Sequence, residues 1–503
     1  MTTTQKSVRR APGAPGAPAG TGRGRWIMLA VLLAGQFMAL LDVTIVNVAM
    51  PTIGRTLHAT GTELQLIVSG YTVSYAMLLI TGARLGDLRG RRNLFVAGLA
   101  VFTLASAVCG FAPNVGVLIA ARFVQGAGAA ATMPQIMSTI QARFAGPARA
   151  RALSAYSAVL ASGFVAGQVV GGLLVNANLF GSQWRPVFLV NVPIGLAVLA
   201  LAPRFIPRDE LVRVPGAVGG TRGAGGARLD LAGLAIAVPA VFAIVLPLML
   251  GHQEHWPAWL LACIGAGLVL AVAFVAVERR VAARGGHPLL DLRVLTVPGL
   301  GSGLAAMLLL MATYGGFLFA LALQLQSGLG DSALRAGLTF GPSALLFGLC
   351  GFFWNRLPLR LHHWLTPVAG TVAAAMYILL GLDLASGTHG GPALQVILVV
   401  LGGSLALGFS PLVAHSLLNV PVAKAADASG LLTTTLQLGQ AIGVASFGSL
   451  FLTLAARPVA HASGHALAVT MYWLAAVLAV AVVASIPLTL AVRRTRATSS
   501  PQT

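Results

Sequence analysis

Apolar stretches of about 20 residues recur from Trp26 to Val492, each long enough to cross a hydrocarbon core of about 30 Å. A backbone in lipid must satisfy its own hydrogen bonds, so a chain built this way folds as a bundle of transmembrane helices. Composition agrees: 57% of residues are apolar and only 9% charged, far below the roughly 25% charge that clothes a soluble domain. A soluble enzyme, a secreted disulfide scaffold and a disordered chain are excluded. The formal charge is +20, but the basic residues lie in short segments between apolar spans and form no continuous stripe for nucleic acid.

Fourteen spans are expected, giving an all-α polytopic membrane protein with its helices grouped six, two and six. Residues 1–25 read as a disordered basic tail rich in Pro, Gly and Ala. A six-helix block over 26–206 is followed by a Gly-rich basic cytoplasmic loop, 207–230. Two inserted helices occupy 231–277. A cytoplasmic linker, 278–298, contains LLDLRVL, which reads as a short interfacial helix with Leu289, Leu290, Leu292 and Leu295 toward lipid. The second six-helix block spans 299–492, and 493–503 form a cytoplasmic tail. With the N-terminus inside, the cytoplasmic segments hold 27 Lys and Arg, against four in the outer loops: Arg55, Arg185, Arg335 and Arg457. By the positive-inside rule both termini face the cytoplasm. Cys109, Cys263 and Cys350 fall within spans, with no metal-ligand spacing, and read as packing residues.

Two charges lie deep in spans. Asp42 and Arg122 are each about 11–12 Å below the outer surface at 1.5 Å per helical residue, so an ion pair or proton switch is expected. A carboxylate in hydrocarbon needs a partner or a wet cavity, and it can exchange protons as its surroundings change. Gln125 and Thr132 share the face of Arg122. Asn47 lies about 140° from Asp42 on helix one, so one of the two turns toward a neighbouring helix. Gly163, Gly167 and Gly171, with Gly172 beside them, form a small-residue face on helix five that permits close packing or sliding. Tyr314 and Gln324 on helix nine, and Thr433, Gln437 and Gln440 on helix thirteen, are candidate cavity linings or helix–helix hydrogen-bonding groups. Ser404, Gly408, Pro411 and His415 share a face of helix twelve. No P-loop, catalytic triad or metal-ligand spacing occurs, so no cofactor is expected and an ion or substrate gradient must drive any transport.

Four stretches carry a resemblance. GARLGDLRGRRNLF (Gly82–Phe95) resembles the signature loop of the major facilitator superfamily. LDVTIVNVAMP (Leu41–Pro51), ARFVQGAGAAATMP (Ala121–Pro134) and WRPVFLVNVPIG (Trp184–Gly195) resemble motifs of its fourteen-helix drug:proton antiporter branch. The resemblance implies two six-helix bundles rocking about a central cavity, in a bacterial plasma membrane, exporting an amphipathic drug or antibiotic in exchange for protons. It makes Asp42 the protonatable acid and Arg122 its coupling partner. Gly82, Gly86, Asp87, Arg91 and Arg92 would form a cytoplasmic latch. One departure stands out: the family's helix-five motif has Pro where this chain has Gln168. That keeps a facilitator or importer of a small metabolite open as an alternative, with a non-transporting membrane sensor or partner protein further behind. The repeat architecture can work as a monomer.

Overall fold

The computed structural model describes residues 22–144, 146–207, 231–251, 256–284, 292–385, 391–418, 420, 425–456 and 461–499. The basic tail up to residue 21, nearly all of the 207–230 loop, and Leu289 and Leu290 of the linker lie outside these residues. The described chain is helical. Its first block contains α1 (Gly22–Leu57), α2 (Gly61–Arg89), α3 (Arg91–Gly110), α4 (Val115–Arg143), α5 (Gly146–Ala177), α6 (Pro186–Leu189) and α7 (Asn191–Phe205). Then come α8 (Leu231–Leu250) and α9 (Ala258–Ala283). The last block contains α10 (Leu300–Leu323), α11 (Ala333–Phe353), α12 (His362–Leu384), α13 (Pro392–Leu418), α14 (Ala425–Ala455) and α15 (Ala462–Ser499). Among the described residues, 11 helices are long and apolar enough to cross a membrane, α6 and α7 counting together as one.

Helix ends follow their local chemistry. Thr60 and Glu63 form a reciprocal capping box at the start of α2. Asn114 caps α4 and Ser332 caps α11 through side-chain oxygens. Gly90, at φ 92°, makes the sharp break between α2 and α3 that a side chain would strain. Two spans depart from the continuous helices expected. The sixth breaks at Val190, because Pro193 has no N–H for the Leu189 carbonyl and its ring crowds that oxygen. The ninth ends in one wide turn over Gln324–Gly328, where the Leu329 N–H donates five residues back to Gln324 O at 2.8 Å. In the linker, a short 3-10 turn spans Leu292–Thr296 and leaves Leu295 exposed.

Helices α1 to α7 pack on one another, as do α10 to α15, and the two groups meet along the seams α2·α14 and α5·α11. Small residues set these approaches, as they must where lipid tails provide no hydrophobic drive between helices. A Cβ on Gly443 of α14 would run into the Ala312 carbonyl of α10. Gly443→Val should therefore lower stability by at least about 1–3 kcal/mol, read as an earlier thermal unfolding midpoint in detergent. The inserted α8 lies over the α2·α14 seam. Val245 of α8 packs with Val73 of α2 and with Ala441 and Ala445 of α14, and Ser449 Oγ of α14 donates to Leu248 O at 3.2 Å.

Candidate functional site

The two deep charges meet inside the first block. Asp42 Oδ2 of α1 accepts from Arg122 Nη1 of α4 at 2.5 Å. Its other oxygen accepts from Gln125 Nε2 and from Asn191 Nδ2, both at 2.8 Å. Arg122 is held from two further sides: Nε donates to Ile67 O of α2 at 3.0 Å, and Nη1 donates to Gln125 Oε1 at 2.7 Å. The Tyr71 ring lies under the guanidinium, 4.6 Å from its carbon. Asn191 also donates to Ser106 Oγ of α3, which in turn donates to Phe188 O. Asp42, Gln125, Asn191 and Ser106 are each 0% exposed and Arg122 is 1% exposed.

Three donors converge on the carboxylate and none of these partners accepts from it, so the site is built around the ionised form. Oδ1 already accepts from two donors, so a proton there must displace one, and a proton on Oδ2 cancels the charge that holds Arg122. The neighbouring face of α1 carries α5: Gly163 packs on Leu40, Gly167 on Leu41 and Thr44, and Gly171 on Ile45. Asp42 and the α5 glycines thus grip the same two turns of α1.

Asn191 and Ser106 escaped the sequence reading. Asn191 is the first residue of α7, and the break at Val190 sets its direction. Its signal was present in the WRPVFLVNVPIG stretch, where a lone Asn interrupts an apolar run. Asn191→Ala removes a donor to a buried charge and should cost about 1.5–3 kcal/mol. Ser106→Ala, which touches only neutral groups, should cost about 0.5–1.5 kcal/mol. Equal losses in thermal unfolding of the two variants would mean that the carboxylate is not the centre of the network.

The remaining candidates fall in several places. Thr132 lies against Gly98 of α3 and donates to Gly128 O, a packing position within the first block. Asn47 is buried on α1, its amide 3.5 Å from Val43 O. Gln324 sits beside Gly328 and Ser463 at the far end of α10. Gln440 packs on Gly315, and Thr433 and Gln437 are half-buried on α14. In the signature loop, Gly82 packs on Ala130 of α4 and Gly86 on Gln135, whose amide donates to Gly82 O. Arg91 reaches Ser138 O and Arg92 is half-buried; the Asp87 side chain lies outside the described residues.

Gln168 and Tyr314 border a crevice between α5, α10, α11 and α13, with Phe347 and Ser343. At the end carrying the α1–α2 and α10–α11 connections the two blocks interlock. Gln326 donates to Val48 O at 2.9 Å, and Ser449 Oγ, which also faces Leu248 O, lies 3.2 Å from the Gln65 side-chain amide. Gly172 there meets Ala333, and Gly337 meets the Gln168 carbonyl.

Residues 32–444 match the Major Facilitator Superfamily. The chain belongs to that family. It is a multi-pass membrane transporter and not an enzyme. A probable actinorhodin transporter of Streptomyces coelicolor is 36% identical over 445 residues, 86% of this chain and 73% of that protein. A cephamycin export protein of Amycolatopsis lactamdurans is 37% identical, covering 83% of each chain. The multidrug resistance protein Stp of Mycobacterium tuberculosis is 30% identical over 83% of this chain and 74% of its own length. Among solved structures, an auto-inhibited POT family peptide transporter superposes with a TM-score of 0.64 at 17% identity, covering 93% of this chain and 97% of that one. That likeness concerns the fold. The transporter is thus related to drug and antibiotic efflux pumps.

Proposed function

We propose that this transporter exports hydrophobic or amphipathic small molecules, drugs or antibiotics among them, in exchange for protons. The observation that carries the reading is Asp42, a carboxylate with no exposed surface, pinned by Arg122, Gln125 and Asn191. A buried charge pair is expensive in hydrocarbon and is kept where it does work. The efflux relatives support the direction of transport.

In this mechanism a proton on Asp42 releases Arg122 from α1, leaving the guanidinium on Ile67 O and Gln125. With that tie loosened, α1 shifts against α4 and α7 and carries α5 with it through the glycine contacts. Because α5 also packs on α11, the effect of protonation is carried to the seam between the two halves by helix movement while the proton stays on Asp42. Alternating access is then rocking of one block against the other. The fold runs as fourteen spans with both termini cytoplasmic, the interlocked end is outer, and the crevice in this state is reached from inside. Gly82–Arg92 act as the cytoplasmic latch, and a monomer suffices.

The test is a pH dye inside proteoliposomes under an imposed pH gradient. Adding an amphipathic drug should trigger proton movement that depends on the protein. Drug flux without proton movement would overturn proton coupling and make the chain a facilitator.

A further inference from the structure

Gln168 stands at the seam of the two halves with its backbone already committed, the carbonyl packed on Gly337 of α11. Its side chain is 2% exposed, and Oε1 has no hydrogen-bond partner. That oxygen belongs to a residue bordering a tight crevice of about 20 Å³, room for about one water in this state. The opposite walls are aromatic. Tyr314 and Phe347 are stacked, with centroids 5.8 Å apart and planes at 23°, and Phe347 continues onto Phe409 at 6.4 Å and 29°. None of the lining residues is charged; Asp42 and Arg122 are enclosed within the first block.

We infer that this crevice is the specificity pocket, and that it takes flat, uncharged aromatic compounds carrying an O–H or N–H that donates to Gln168 Oε1. The inference rests on the export reading and names its substrate class. A buried acceptor without a partner is a deficit that a ligand donor removes, and an analogue without the donor leaves it in place. Parting these near-parallel rings by one ring thickness would admit a flat ring and not a bulky one. Offset stacking supplies the contact. With no carboxylate in the lining, a cation would exchange its water for ring faces and neutral oxygens with no counter-charge. The departure from the family's Pro at this position thus has a purpose: Gln restores the α5 backbone N–H and supplies the acceptor.

The test uses the purified full-length chain in lipid nanodiscs at pH 6, with empty nanodiscs subtracting partition into lipid. The probes are 1-hydroxypyrene, 1-methylpyrene of nearly the same shape, and the flat cation N-methylacridinium. Wild type should bind 1-hydroxypyrene at least about tenfold more tightly than 1-methylpyrene, and more tightly than the cation. Gln168→Leu should bring the two pyrenes within about twofold by weakening the first, and Phe347→Leu should weaken both. Gln168→Glu should make N-methylacridinium the preferred probe, a gain that misfolding cannot mimic. Equal binding of the two pyrenes by wild type overturns the inference. So does a hydroxyl preference that survives Gln168→Leu, or a wild-type preference for the cation. Loss of proton coupling with the hydroxyl preference intact would defeat the export reading alone. Intact coupling without the preference would defeat this inference alone.

Discussion

Asp42→Asn is expected to abolish drug-triggered proton movement, and to destabilise the protein as well. An amide in place of the carboxylate cannot satisfy what surrounds it. Arg122 Nη1, Gln125 Nε2 and Asn191 Nδ2 are all donors, so whichever way the Asn amide turns, a donor faces a donor. Arg122 is left as an unpaired cation at 1% exposure. Removing one member of a buried pair costs about 3–5 kcal/mol, whereas replacing both with neutral groups is often close to neutral. The double variant Asp42→Asn/Arg122→Gln should therefore recover most of the thermal stability lost by the single one. Neither should couple protons. That pattern separates the two roles of the pair, because stability returns with charge balance while coupling needs the titratable oxygen. A single variant that still moves protons on drug addition would remove Asp42 from the mechanism. A double variant as unstable as the single would show that the ion pair is not what the surrounding network serves.

The second large effect is expected at the seam. A Cβ on Gly172 would sit 2.8 Å from the Ala333 carbonyl and 3.0 Å from the Leu334 Cα. Both are backbone atoms of the opposite half and cannot turn aside. Gly172→Leu therefore holds α5 and α11 apart where the blocks interlock. Each half keeps its own packing, so the variant should fold, but the closed arrangement at this end becomes strained. Transport should fall at least about tenfold, since a shift of 1.4 kcal/mol in a conformational equilibrium already changes its populations that much. Cysteine accessibility at Leu334 should rise in the same variant. Normal transport with unchanged accessibility would mean that the seam tolerates the wedge and that this end does not close during the cycle.

Much of this was legible before any coordinates. Run length alone identified a helical membrane protein, and the rise per residue placed Asp42 and Arg122 at one depth, where they do form an ion pair. The facing of each helix was less legible. Thr132, grouped with Arg122 by its position on the wheel, turned out to contact Gly98. Asn191 went unweighed, because the direction of a residue after a helix break depends on where Pro193 forces that break. Gln168 read only as a missing proline, and its place beside the Tyr314–Phe347 stack came from helices far apart in the chain.

What the sequence determined by itself was therefore where the chain is long and apolar enough to cross a membrane, the matching positions of Asp42 and Arg122 along their helices, and the family to which its motifs belong. What only the tertiary structure decided was rotation about that axis: which partners surround Asp42, which helices the glycines of α5 touch, and which side chains line the crevice. The physical reason is the solvent. In water, an apolar stripe announces the buried face of a helix. In lipid, core and surroundings are equally apolar, so a helix that is apolar all round carries little signal about which side meets its neighbours.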